Sequence, residues 1–201
     1  MYRICILLAF ILSIVLFCVL VKGSKENKNI HRMLMLSWSL LNPLAAYIGA
    51  MIVATMLSGF TRYGGLSSLG GLIGFALATV FEIKTFPEYK AKIVDAAFLS
   101  MPLIYSIAKI GCHFGGCCGG RLPVQLIESA AFGVIFIISF IRQHNGQSYK
   151  FFLMTSTGIA KGGLDFLRYE QSIVVKIVCL VGIIVTVVVW MNTRRSISYE
   201  E

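Results

Sequence analysis

Seven predominantly apolar runs, near 2–21, 33–59, 70–83, 94–111, 125–141, 151–167 and 173–192, occupy most of this 201-residue chain. Crossing the hydrocarbon of a bilayer takes about 20 such residues as a helix, and most of the runs approach that length. They come as runs rather than alternations, which reads as helices. Charged residues make up 13% of the chain and mean hydropathy is +0.82, where a soluble domain carries about 25% charged residues. The expected fold is therefore all-α: residues 1–201 form one integral membrane domain of about seven transmembrane helices, with no room for a soluble one. No internal repeat of fixed period is evident, so nothing points to an inverted-repeat transporter. The first run is too long for the apolar part of a signal peptide and no small-residue cleavage pattern precedes Lys22, so it reads as the first span.

A net charge of +9 invites a nucleic-acid partner, but its distribution points elsewhere. Lys22, Lys25, Lys28, Arg32, Lys84, Lys90, Lys92, Arg142, Lys150, Arg194 and Arg195 fall in alternate connections and the tail. The opposite set holds only Arg3, Arg62, Lys109, Arg121 and Arg168. Lysine and arginine collect in cytoplasmic loops, so the N-terminus is expected outside and the C-terminus in the cytoplasm. The basic balance reads as topology, with no nucleic-acid role.

This orientation puts the connections 61–70, 109–123 and 168–171 on the outer side. The inner connections are short and lysine-rich. The outer ones are glycine-rich and carry isolated charges beside apolar segments, as in KIGCHFGGCCGGR (109–121). Irregular backbone at membrane depth survives only when buried in protein or lining a wet cavity, and glycine lets the chain bend there. The rim of an outward-opening cavity fits this pattern; a tight helix-packing seam of small residues is the alternative. Lys161 lies within an apolar run, where a charge costs at least a few kcal/mol, roughly, and usually faces a partner or an aqueous pocket. One reading pairs it with Asp165 at i,i+4, fixing helix packing only. The other gathers Lys109, Arg121, Lys161 and Arg168 into a cationic pocket for an anionic head group, of which phospholipid phosphate is the commonest at that depth.

Cys5, Cys18 and Cys179 lie within apolar runs and read as small buried side chains. Cys112, Cys117 and Cys118 leave several readings open: a disulfide from Cys112 to one of the others, a thiolate activated by Lys109 or His113, or plain packing. The spacing C-H-x3-C-C is no standard zinc pattern and no second ligand cluster accompanies it. No metal and no cofactor are expected.

Four segments, taken together and in order, resemble the prolipoprotein diacylglyceryl transferases. GGLSSLGGLIGFALA (64–78) resembles the family's glycine-rich segment, and KIGCHFGGCCGG (109–120) its Arg-Ile-Gly-Asn-Phe signature in a cysteine-bearing form. LPVQLIES (122–129) resembles the His-Pro-Ser-Gln-Leu-Tyr-Glu motif, and KGGLDFLR (161–168) the late arginine-containing helix. The resemblance implies a transferase of lipoprotein biosynthesis, multi-pass in the bacterial plasma membrane. Such an enzyme moves diacylglyceryl from phosphatidylglycerol, or another anionic phospholipid, to the lipobox cysteine of a prolipoprotein signal peptide. Lys109 and Lys161 stand where the family carries arginine, Cys112 where it carries asparagine, and Leu69 and Leu122 where it carries histidine; an arginine of the second span falls near Met51. Lysine keeps the charge but loses the planar fork that grips phosphate at two points. On this basis His113, Lys109 and Glu128 are the candidate catalytic residues, with His113 as a substitute base. Lys109, Arg121, Lys161, Arg168, Gly111, Gly116, Gly120, Gln125, Gly70 and Gly71 are the candidate lipid- and phosphate-binding residues. The alternative is a non-catalytic membrane protein that binds lipid or lipoprotein after losing the family histidine.

Overall fold

A computed structural model describes residues 2–21, 28–57, 67–116 and 124–166. Among them the chain is helical and contains no strand: α1 (Tyr2–Val21), α2 (Lys28–Leu57), α3 (Ser68–Thr85), α4 (Lys90–Phe114), α5 (Val124–His144) and α6 (Lys150–Phe166), with a single 3₁₀ turn at Pro87–Tyr89. By length and composition four stretches suffice to cross a membrane: Arg3–Val21, Lys28–Met56, Pro87–Phe114 and Val124–His144. The two shorter helices, α3 and α6, occupy the runs expected at 70–83 and 151–167. The run at 173–192 lies outside the described residues. Large apolar side chains such as Ile11, Leu40, Leu77, Val134 and Ile137 point away from the protein, the inverse of a water-soluble surface and the arrangement a lipid solvent favours.

The chain divides into two units, Phe10–Ala97 and the pair Met1–Ala9 with Phe98–Glu201. In the first, Phe17 of α1 stacks on Trp38 of α2 at 4.3 Å, and Trp38 meets the edge of Phe75 of α3 at 5.9 Å. Helices α2 and α3 approach through small residues. A methyl group on Gly49, Gly70 or Gly74 would overlap the facing backbone, and Gly71 lies against Ala46 and Ala50. In lipid, close backbone approach replaces the hydrophobic drive that joins helices in water. Ser67 caps α3, its hydroxyl accepting from the Gly70 N–H at 3.3 Å while its own N–H donates to the Ala50 carbonyl at 3.1 Å. Gly70 is thus a helical residue at a seam, although the sequence assigns it to a connection.

The same pair of helices buries an acid. Glu82 is 0% exposed. It accepts from Ser37 Oγ at 3.0 Å and Asn42 Nδ2 at 2.8 Å, while Thr79 Oγ1 donates to Asn42 Oδ1 at 3.4 Å and to the Phe75 carbonyl at 2.9 Å. Buried polar groups are tolerable when paired in this way, and the network cross-links α2 to α3.

In the second unit α4, α5 and α6 form the frame of interest. Ser106 of α4 donates to the Ser129 carbonyl of α5 at 2.8 Å, and Gly133 leaves room for that hydroxyl. Tyr105 packs on Phe132 with ring centroids 4.3 Å apart. Helix α5 turns into α6 through Gly146 (φ +68), and Arg142 lies over the Phe152 ring at 4.9 Å. The first residues of the glycine-rich stretch are helical: α4 runs through Lys109 and Gly111 to Phe114, and the left-handed Gly116 (φ +62) follows it. The connection expected from 109 therefore begins at Gly115, because an unbroken backbone ladder is worth more in hydrocarbon than glycine's preference for freedom.

Candidate functional site

Helix α5 presents Gln125, Glu128, Ser129 and Phe132 on one buried face, the i, i+3, i+4, i+7 stripe of a helix packed against neighbours. Glu128 is the charged member and its side chain is fully buried. Among the described residues two lysines from two other helices reach it. Lys109 of α4, its side chain 10% exposed, places Nζ 2.6 Å from Glu128 Oε2. Lys161 of α6, its side chain 36% exposed, places Nζ 3.8 Å from Oε1. Stripping water from a carboxylate costs several kcal/mol, on the order of the gain from one well-made pair, so a second ammonium group makes such deep burial tolerable.

Both ammonium groups also lie at the ring of Tyr105, 5.0 Å from its centroid for Lys109 and 5.6 Å for Lys161. Tyr105 stands one helical turn before Lys109, so the two share a face of α4. Among the described residues the result is a compact group of two basic side chains, one acidic and one aromatic, drawn from three helices. Of the two lysines, Lys161 is the more exposed.

Of the sequence candidates, Lys109, Glu128 and Lys161 converge. Gln125 is buried one turn before Glu128 on the same helix, and Gly111 is buried on α4 half a turn beyond Lys109. His113 sits half-buried in the last turn of α4, its ring 5.5 Å from that of Phe114. Gly116 ends the described part of that loop, exposed. Gly70 and Gly71 belong to the α2–α3 seam. Gly120, Arg121, Arg168, Cys117 and Cys118 lie outside the described residues, as does the side chain of Asp165, so the i,i+4 pairing considered for Lys161 falls outside the described contacts. The ion pair described for Lys161 crosses to α5. Cys112 is half-buried.

Sequence reasoning missed Tyr105 and the Glu82 network. Tyr105 had a weak signal, its i,i+4 spacing to Lys109. Glu82 had a stronger one, an acid at the edge of an apolar run.

The family model for prolipoprotein diacylglyceryl transferase matches residues 1–192. No curated protein and no solved structure matches the chain. A match over nearly the whole length, with the cluster falling on three of the segments that carry the resemblance, fixes the kinship. The chain belongs to the prolipoprotein diacylglyceryl transferase family.

Proposed function

We propose that the protein transfers a diacylglyceryl group from phosphatidylglycerol to the lipobox cysteine of a prolipoprotein, or performs a closely related lipid head-group transfer, at the outer face of a bacterial plasma membrane. The supporting observation is the Lys109–Glu128–Lys161 cluster, which sets a nearly buried lysine and a part-exposed one against one buried carboxylate, a pair of basic side chains suited to a phosphate. Lys109 and Lys161, with Arg121 and Arg168, hold the phosphodiester. Glu128 and Gln125 position them. The acceptor sulfur attacks the glyceryl carbon that bears the phosphate. The carbon–oxygen bond breaks, its electron pair leaves on glycerol phosphate, and a thioether forms. His113 accepts the thiol proton. Fixed ammonium groups stabilise the charge that develops on the leaving oxygen. The domain is single and crosses the membrane about seven times, with its N-terminus outside.

One residue favours a second reading: Leu69 stands where the family carries histidine, and without that base the protein would bind lipid or lipoprotein without turning it over. Expression in cells depleted of their own transferase separates the two. The transferase reading predicts restored growth and thioether-modified lipoprotein. Binding without rescue supports the second.

A further inference from the structure

We infer that Tyr105 is a positioning residue for the two site lysines, its ring a neutral platform that orients both ammonium groups toward an anionic lipid phosphate. This rests on the proposed lipid-phosphate role of the cluster and adds a residue to it. Lysine is a point charge on a flexible four-carbon stem, whereas arginine presents a rigid planar fork. A site that uses lysine must therefore fix the ammonium from outside. Glu128 supplies part of that restraint, at 2.6 Å for Lys109 but only 3.8 Å for Lys161. A carboxylate restrains a lysine only by adding negative charge, which weakens the attraction for phosphate. An aromatic face avoids this, because its quadrupole attracts a cation while adding no charge of its own. Tyr105 meets the requirement on both sides, with Lys109 and Lys161 at 5.0 and 5.6 Å from one centroid. The ring is itself held. It packs on Phe132, and its neighbour Ser106 is bonded to the Ser129 carbonyl.

The test varies the ring's electrons at nearly constant shape. The full-length protein would carry Tyr105→Phe, then the same phenylalanine ring with one, two and three fluorines, and separately Tyr105→Leu. The measurement is the dissociation constant for phosphatidylglycerol presented in phosphatidylcholine nanodiscs. Tyr105→Phe is expected to bind like wild type, fluorination to weaken binding stepwise by about tenfold in all, and Tyr105→Leu to bind at least that much more weakly. A merely structural ring predicts a flat fluorine series. A flat series alongside wild-type binding overturns the positioning role and leaves the lipid-phosphate reading standing. A wild type that does not distinguish phosphatidylglycerol from phosphatidylcholine overturns both.

Discussion

A buried carboxylate between two ammonium groups responds differently to the loss of each. Lys109 contacts Glu128 at 2.6 Å and is nearly buried, whereas Lys161 is at 3.8 Å with a third of its side chain exposed. Lys109→Ala leaves the Glu128 charge in the protein without its close partner, a change that costs about 3–5 kcal/mol. Lys161→Ala removes a looser, solvent-screened contact worth about 1 kcal/mol or less. Thermal unfolding in detergent should therefore show a large drop in midpoint for the first and a small one for the second. Both variants should lose phosphatidylglycerol binding, and the lysine-to-arginine variants should keep it. Equal midpoints for the two alanine variants would mean that Lys161 shares the structural load. The cysteines should behave otherwise. In the proposed transfer the acceptor thiol belongs to the substrate, so Cys112→Ser, Cys117→Ser and Cys118→Ser are each expected to cost only a few-fold in rate. Mass spectrometry should find no lipid adduct on them; an adduct would make the reaction a double displacement. Lys161 was legible in the sequence because an ionisable residue in an apolar run is expensive and needs a reason; Lys109 stood out as an isolated charge in a glycine-rich stretch, and Glu128 through the family resemblance. Tyr105 was not, since a tyrosine in such a run reads as ordinary packing.

Helices α2 and α3 show how far an element's position can be read and where reading stops. The apolar runs at 2–21 and 125–141 match α1 (Tyr2–Val21) and α5 (Val124–His144) closely, because a lipid solvent leaves the backbone little choice but helix. Boundaries at glycines were read less well. Gly111 lies inside α4 and Gly70 inside α3, since glycine marks both turns and close helix contacts and sequence alone does not separate them. The seam makes a sharp prediction. Gly74→Ala sets a methyl group against the Ala45 backbone, which has no flexible end to move aside, whereas a methyl at Gly163 meets nothing within 4 Å. Unfolding experiments should find Gly74→Ala destabilised by about 1–3 kcal/mol and Gly163→Ala unchanged or more stable by up to about 1 kcal/mol. Matching stabilities would remove the seam as the contact joining α2 to α3. Glu82 stood out as an acid at the edge of an apolar run, but its partners did not: Asn42 lies about 40 positions away, and nothing local signals the pairing.

Across the molecule, the basic asymmetry of the connections predicts which face meets the periplasm or exterior. Single cysteines at Lys25 and Lys90, in a cysteine-free background, should resist an impermeant thiol reagent in intact cells, and one at Ser67 should react. Labelling at Lys90 but not Ser67 would invert the orientation and move the proposed chemistry to the wrong side for an exported substrate. Family membership was legible because four motifs occur in order; the reaction itself depends on whether lysines and His113 can replace the family's arginines and histidine, and side-chain chemistry alone decides that. The direct test incubates purified full-length protein with head-group-labelled phosphatidylglycerol in nanodiscs and a lipobox peptide. Glycerol phosphate should be released only when the peptide carries its cysteine, with a matching thioether product, and release should fall at least tenfold in Lys161→Ala. A folded wild-type protein that binds phosphatidylglycerol yet releases no glycerol phosphate with the cysteine peptide present would contradict transfer and leave a lipid-binding protein.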